Sequence, residues 1–416
     1  MRAVRRSGRV PGSGDCSGAT PERILQSMFL AQLQRFLRPA VGVVLPTLIV
    51  CAVLLEVGLR ARGRLPSNVT DGIFVAHGEA YRLKPNQSKL STTPSYSCTV
   101  NTNALGLRDA APGPRLLAAP YVAWMGDSAT FANGVEYEQS FVGLLGDRWR
   151  PSGIEVVNLA VGGHHIQEQE ELLRDFVRAA PRRPEGVVVV FTPQLMALFE
   201  ERYHDLVVRS GYIFQGRNWL PSYALVTLGN TSSAYCFFRD GLRKLQARYL
   251  PARGGGAAEL LGMYARSFPA VAPEATRRME DRISELDDGI RALGATPVHV
   301  YLPTAIDLRA GEILAADPRA GGDFALDHYR DALRRQSARS GVRFVDLTPP
   351  LRAEYAKGQP LWFSQDMHYN AATHVVIADA LFELMGRAAW AGPRGAAAPA
   401  DEPRRAAAMI PARVAE

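Results

Sequence analysis

From Tyr121 onward, short apolar runs alternate with longer stretches in which apolar residues recur every three or four positions. The short runs predict strands at Tyr121–Met125, Ile154–Val157, Val187–Phe191, Pro297–Leu302 and Arg343–Val345, each bounded by Gly, Pro or Asp. The longer stretches predict helices at Gln139–Trp149, Gln167–Ala179, Ala275–Leu293, Phe324–Ser340 and Ala371–Met385. Strands and helices taking turns in this way imply an α/β fold with a parallel five-stranded sheet, because parallel neighbours need crossover helices that cover both faces.

Two stretches depart from the alternation. Residues 60–120 are rich in Ser, Thr, Asn and Pro, with strand-like pieces only at Gly72–Val75 and Cys98–Asn101, and read as a stalk leading into the domain at 121–391. Residues 201–270 carry many aromatics, among them Tyr203, Trp219, Tyr223 and Phe238, and read as an insertion after the third strand that shapes a substrate site. Residues 392–416, dominated by Ala, Pro and Arg, are expected to form a disordered tail.

Near the N-terminus the pattern becomes uniformly apolar. Pro39–Leu55 holds 17 residues without a charge, and continuing to Leu59 admits only Glu56, enough to cross a hydrocarbon core of about 30 Å with slight extension or local thinning. Arg35 and Arg38 before the run, and Arg60, Arg62 and Arg64 after it, favour a transmembrane anchor at 39–59 behind a basic tail at 1–38 over a buried core helix. A cleaved signal peptide is the alternative, but no small-x-small cleavage site follows the run.

Charge then decides between classes of partner. Of 416 residues, 47% are hydrophobic and 21% charged, so a folded chain is expected; its net charge is +7. Residues 1–64 hold ten Arg against three acidic residues, while the other 352 hold 38 basic and 38 acidic side chains. A neutral body lacks the basic surface that nucleic acid demands, so no nucleic-acid partner is expected. Seven Arg precede the anchor and three follow it, which places the N-terminus in the cytoplasm and the body outside it, on a single-pass protein; a start at Met28 would nearly remove that asymmetry. Cys98 and Cys236 are the only pair open to a disulfide in an exported body, with two small unbridged hydrophobes an equal alternative.

The residues directly after the strands carry the chemistry, because ligands of a parallel sheet gather at its carboxyl edge. Gly126-Asp127-Ser128 follows the first strand, where a tight turn can present a hydroxyl beside a free backbone N–H; as a lone tripeptide it also fits a turn or helix cap. Asn158-Leu159-Ala160-Val161-Gly162-Gly163 follows the second, its glycines letting backbone approach a substrate. Asp366-Met367-His368 precedes Asn370, a candidate cap for the last helix; such an Asp and His can hydrogen-bond and leave one imidazole nitrogen to take a proton from a serine. His164 and His165, adjacent and divergent, read as site-lining or structural. With eight His and no third ligand at a recognisable spacing, no metal is expected.

Taken together, Gly126 to Val135 after the first strand, Asn158 to Gly163 after the second and Asp366-x-His368-x-Asn370 near the C-terminus resemble the GDSL/SGNH hydrolase superfamily, with Asn103-Ala104-Leu105-Gly106-Leu107-Arg108 similar to a segment before the nucleophile strand in membrane-anchored bacterial members. The resemblance spans roughly residues 100–388 and implies a three-layer, flavodoxin-like α/β/α sandwich. It assigns Ser128 as nucleophile, His368 as general base and Asp366 as the group that orients it, with the Ser128 and Gly163 N–H groups as oxyanion donors and no cofactor. The chain departs from the family in its third block, where Phe191-Thr192-Pro193-Gln194 stands in place of a motif containing Asn; Gln194 is the candidate replacement donor. Ala132 also replaces a Gly common in the first block.

These features lead to a membrane-anchored serine esterase acting on O-acyl, above all O-acetyl, groups of an envelope carbohydrate. A polysaccharide O-acyltransferase is the close alternative. A catalytically weak envelope protein that keeps the fold to bind polysaccharide or an assembly partner belongs to another class, and a lipase for long chains is a third reading.

Overall fold

Val187, Val188, Val189, Val190 and Phe191 form an unbroken apolar run because both faces of their strand are covered, and the sheet is built outward from it. The computed structural model describes residues 40–386 apart from 65, 67–71, 94, 109–118, 202, 204, 217–218, 250–260, 317–322 and 365. The basic tail at 1–38, Met28 and the C-terminal tail at 392–416 lie outside the described residues. The chain divides into two units, one of residues 1–66 with 232–237 and one of 67–231 with 238–416.

In the first unit, helix α1 (Leu45–Ala61) follows a π-helical turn at Ala40–Val44. Gly42–Ala61 is long and apolar enough to cross a membrane, with a mean hydropathy of 2.3, and its Val and Leu side chains are exposed apart from Leu55, half-buried, and Leu59, buried. Ser232–Phe237, which opens a later helix, belongs to this same unit.

The second unit begins with two antiparallel hairpins, β1 (Phe74–His77) with β2 (Ala80–Leu83) and β3 (Ser88–Thr92) with β4 (Ser97–Asn101). The large sheet is built from β5 (Tyr121–Met125), β6 (Glu155–Asn158), β7 (Gly186–Phe191), β10 (Thr296–Tyr301) and β11 (Arg343–Asp346). All neighbours are parallel, in the spatial order β11-β10-β7-β5-β6, which is the flavodoxin-like 2-1-3-4-5 arrangement. Helices α2 (Ser128–Phe131) and α3 (Phe141–Trp149) follow β5, α4 (Ile166–Ala179) follows β6, and α5 (Pro193–Ala197) follows β7. The insertion supplies the hairpin β8 (Leu206–Arg209) and β9 (Tyr212–Gln215), then α6 (Trp219–Thr231) and α7 (Ser233–Tyr249). Next come α8 (Pro273–Ala292), α9 (Ala305–Ala316), α10 (His328–Ser340), α11 (Thr348–Ala356) and α12 (Ala371–Met385).

Alternation along each strand sorts side chains into two cores. Tyr121, Ala123 and Met125 join Val187, Val189 and Phe191 beneath α4, α8 and α10, while Val122 and Trp124 join Val188 and Val190 beneath α3 and α12. Each such Val or Leu contributes on the order of 2 kcal/mol by leaving water, so both faces are needed to hold the sheet.

One expectation is corrected. The segment read as a stalk is part of the domain: Ile73, Tyr81, Leu83, Cys98 and Val100 are buried in the first core, while Ser88, Lys89, Ser97 and Asn101 face outward. Cys98 and Cys236, for which a disulfide and two unbridged hydrophobes stood as equal alternatives, are both buried.

Candidate active site

The end of β5 is shaped by steric necessity. A Cβ on Gly126 would lie 2.1 Å from Thr130 Oγ1, so only glycine fits there. Asp127 is extended and caps α2, its Oδ1 accepting from the Ala129 N–H at 2.9 Å, and Ser128 opens the helix. Asp127 Oδ2 accepts from Thr192 Oγ1 at 2.5 Å, which ties the ends of β5 and β7 together. Burial pushes the Asp127 carboxyl above the usual carboxylate range, against the hydrogen bonds from Thr192 and Ala129.

The loop before α12 brings the base. His368 Nε2 lies 2.8 Å from Ser128 Oγ, and His368 Nδ1 lies 2.5 Å from Asp366 Oδ1. Asp366 Oδ1 also accepts from the His368 N–H at 2.9 Å, so one carboxylate fixes both the ring and its backbone. Burial raises the Asp366 pKa, but hydrogen bonding and the charge of His368 outweigh it and hold the carboxyl below the usual range. The loop is fixed at both ends. Phe363 N–H donates to the His368 carbonyl at 3.1 Å, and Asn370 caps α12 by accepting from Thr373 N–H at 3.0 Å. His368 and Asp366 keep 18% and 23% of their side chains exposed, so a substrate can reach the constellation.

After β6, buried Asn158 accepts from Ala160 N–H at 3.0 Å and turns the chain toward the glycines. A Cβ on Gly162 would lie 3.7 Å from Ser128 Cβ, so this turn abuts the nucleophile. Gly163 has φ +84°, and a Cβ there would stand 2.5 Å from Tyr81 Oη. The carbonyls of the turn point away from Ser128 into two phenols: Tyr81 Oη donates to Gly162 O at 2.7 Å and Tyr203 Oη to Gly163 O, with 3.0 Å between the phenol oxygens. Hydrogen-bonding the carbonyls on that side leaves the N–H edge of the turn for the site.

Several residues that motif reading passes over complete the picture. Asn133 Nδ2 lies 3.4 Å from His368 Nε2 and 3.8 Å from where a Gly162 Cβ would sit, so its amide stands between the base and the glycine turn. Arg108 is fully buried, and its guanidinium donates to the carbonyls of Phe131 at 2.6 Å, Ala132 at 2.7 Å and Val135. It also lies over the Phe131 ring at 4.7 Å. That arginine fastens the turn in which Ala132 takes φ +65°, a left-handed conformation where the family's glycine would be at ease. Asn133 was visible in the first block, five residues after Ser128, but spacing along the chain gives no hint that its amide folds back. Arg108 ends the quoted segment before the first sheet strand and Thr192 stands in the third block, but the sequence gives no hint that one fastens the Ala132 turn or that the other bonds to Asp127.

The remaining predicted site residues fall elsewhere. Gln194 sits exposed in the first turn of α5, and the side-chain amide that lies beside His368 belongs to Asn133. His164 is 2% exposed, its Nε2 lies 2.8 Å from Tyr81 O, and burial lowers its pKa to about 4, so it is a structural, neutral imidazole and not a substrate-lining group. His165 caps α4 and packs on the Tyr203 ring at 4.9 Å. Among the described residues, no group of three or more His, Cys, Asp or Glu is placed to hold a metal ion.

No family model matches the chain, and no curated protein matches it. Solved structures do. TesA is 14% identical over 64% of this chain and 98% of its own, with a TM-score of 0.34. The psychrotrophic esterase EstA from a Pseudoalteromonas species is 14% identical over 63% of this chain and 94% of its own, with a TM-score of 0.32. The acetylxylan esterase Axe2 from Geobacillus stearothermophilus is 12% identical over 64% and 94%, with a TM-score of 0.35. Likeness so distant carries no argument of its own, and the fold is read from the chain itself. A parallel sheet in the flavodoxin order, with Ser128, His368 and Asp366 gathered at its carboxyl edge, is the α/β/α fold that the GDSL/SGNH resemblance implies.

Proposed function

We propose that the chain is a serine esterase that removes O-acetyl groups from an envelope carbohydrate through an acyl-serine, held at the membrane by α1 with its body outside the cytoplasm. The observation that carries the reading is the continuous hydrogen-bond chain from Ser128 Oγ through His368 to Asp366. Ser128 Oγ attacks the acyl carbonyl while His368 Nε2 takes its proton. The imidazolium is stabilised by Asp366, whose lowered pKa keeps it ionised through the neutral range. The Ser128 and Gly163 N–H groups and the Asn133 amide receive the oxyanion. His368 then returns the proton to the leaving sugar hydroxyl, and water, activated by the same base, releases acetate.

Carbohydrate is favoured by the aromatic pair Tyr96 and Phe363, with ring centroids 4.9 Å apart, because Phe363 hydrogen-bonds to the His368 loop and flat aromatic faces suit sugar rings. The neutral body and the apolar helix with flanking Arg support the envelope location. The test is turnover of 4-nitrophenyl acetate and of an O-acetylated polysaccharide by the full-length protein beside Ser128→Ala. A loss of at least about 10³-fold in kcat for the variant is expected. Equal turnover by both proteins, or none by either on both substrates, rejects the esterase.

A further inference from the structure

Trp219–Phe238 is a run of 20 residues without Asp, Glu, Lys, Arg or His, and Arg239, Arg243, Lys244 and Arg248 follow it. It lies in the insertion, far along the chain from the N-terminal anchor. Helix α6 within it turns Trp219, Tyr223 and Asn230 toward the β8–β9 hairpin, where Asn230 Nδ2 donates to Tyr212 Oη at 2.6 Å, but Leu220, Leu225 and Leu228 are 63%, 54% and 44% exposed. Apolar side chains gathered on the exposed part of a helix leave their burial unexplained.

The chain continues from α6 directly into Ser232–Phe237, which belongs to the anchor's own unit. There Glu56, the single acidic residue of the apolar span, accepts from Ser232 Oγ at 3.0 Å, Ser233 N–H at 3.0 Å and Ala234 N–H at 2.8 Å, and pairs with Arg60 at 2.6 Å. Glu56 stands five residues before Ala61, the end of the apolar span, about 7 Å along a helix at 1.5 Å per residue. A carboxylate at that depth in a membrane needs partners, and here they are the orphan N–H groups that open α7. Residues 232–237 are therefore fixed to the anchor at the depth of its last turns.

We infer that residues 219–238 are a second membrane-seated element, lodged among the acyl chains of a bilayer. The inference rests on reading α1 as a membrane anchor. Lipid is the occupant that fits, because the run is uncharged, is bounded by Trp219 and Tyr223 at one end and basic residues at the other, and continues into a segment bonded to the anchor. The Trp219–Phe238 part of the aromatic insertion thus takes on a membrane role, while Tyr203 near its start bonds to the Gly163 turn.

Three full-length variants test this, each adding a tryptophan at an exposed leucine: Leu225→Trp in α6, Leu48→Trp in α1 and Leu90→Trp in β3. Each is reconstituted into phosphatidylcholine and phosphatidylglycerol vesicles, with plain or brominated acyl chains, and the added emission is compared. Bromine quenches only rings that reach the hydrocarbon. At least twofold quenching is expected for Leu225→Trp and Leu48→Trp, and none for Leu90→Trp. Quenching at Leu48→Trp with Leu225→Trp behaving like Leu90→Trp overturns the inference and leaves the anchor standing. No quenching at Leu48→Trp removes the anchor, and the inference falls with it.

Discussion

At the scale of single residues, the site is distinguished by a compensation. The family position that would supply an amide after the third strand is occupied by Thr192-Pro193-Gln194, and Gln194 faces solvent. Thr192 donates to Asp127, and the amide beside His368 is that of Asn133, on the same turn as Ser128. If Asn133 is the replacement donor, Asn133→Ala lowers kcat for 4-nitrophenyl acetate by about 10²–10³-fold with little change in KM. A loss below threefold, in a variant whose urea midpoint matches that of the wild type, removes Asn133 from the reaction. Ser128, His368 and Asp366 were legible because their partners sit within two residues or directly after a strand. Asn133 was not, because only the left-handed residue before it turns its amide back toward His368.

At the scale of elements, the turn after α2 stores strain that a buried cation holds in place. Ala132 at φ +65° costs on the order of 1 kcal/mol relative to glycine, and three carbonyl hydrogen bonds from Arg108 keep the turn closed. Ala132→Gly is therefore expected to raise unfolding stability by about 1 kcal/mol in urea titration while keeping esterase activity; an unchanged or lowered midpoint contradicts the strain. The five sheet strands were legible to within a residue or so, since buried parallel strands announce themselves as apolar runs between turn residues. Helix α11 was not, because Pro349-Pro350 reads as a breaker; both prolines occupy its first turn, where no N–H bond is lost. The β1–β4 hairpins were hidden by their polar outer faces.

At the scale of the whole molecule, two buried imidazoles link the fold to pH. Burial drives His374 down to about 3, with the charges of Arg108 and His368 acting in the same direction, while its Nδ1 accepts from the Phe141 N–H at 3.3 Å. Both His374 and His164 are neutral when folded and titrate near 6.5 when unfolded. The unfolded chain thus binds more protons below 6.5, so their stabilising contribution is complete above that pH and is lost as pH falls toward 4 and then 3. The urea midpoint should fall from pH 7 to pH 5. His374→Gln, which keeps an acceptor for Phe141, should flatten that slope by up to about 1.4 kcal/mol per pH unit, and an unaltered slope refutes the linkage.

The amino-acid sequence by itself determined the layered α/β architecture, the apolar N-terminal helix and the order of the three motif blocks, since these depend on periodicity and on neighbours close along the chain. Tertiary structure alone decided which amide approaches His368, that Arg108 secures its turn, that the hairpins before Tyr121 belong to the core, and that Glu56 holds the start of α7. Each of those contacts joins residues whose separation along the chain carries no record of it. It is set by the packing of the sheet, the glycine turns and the helix ends, which no local pattern encodes.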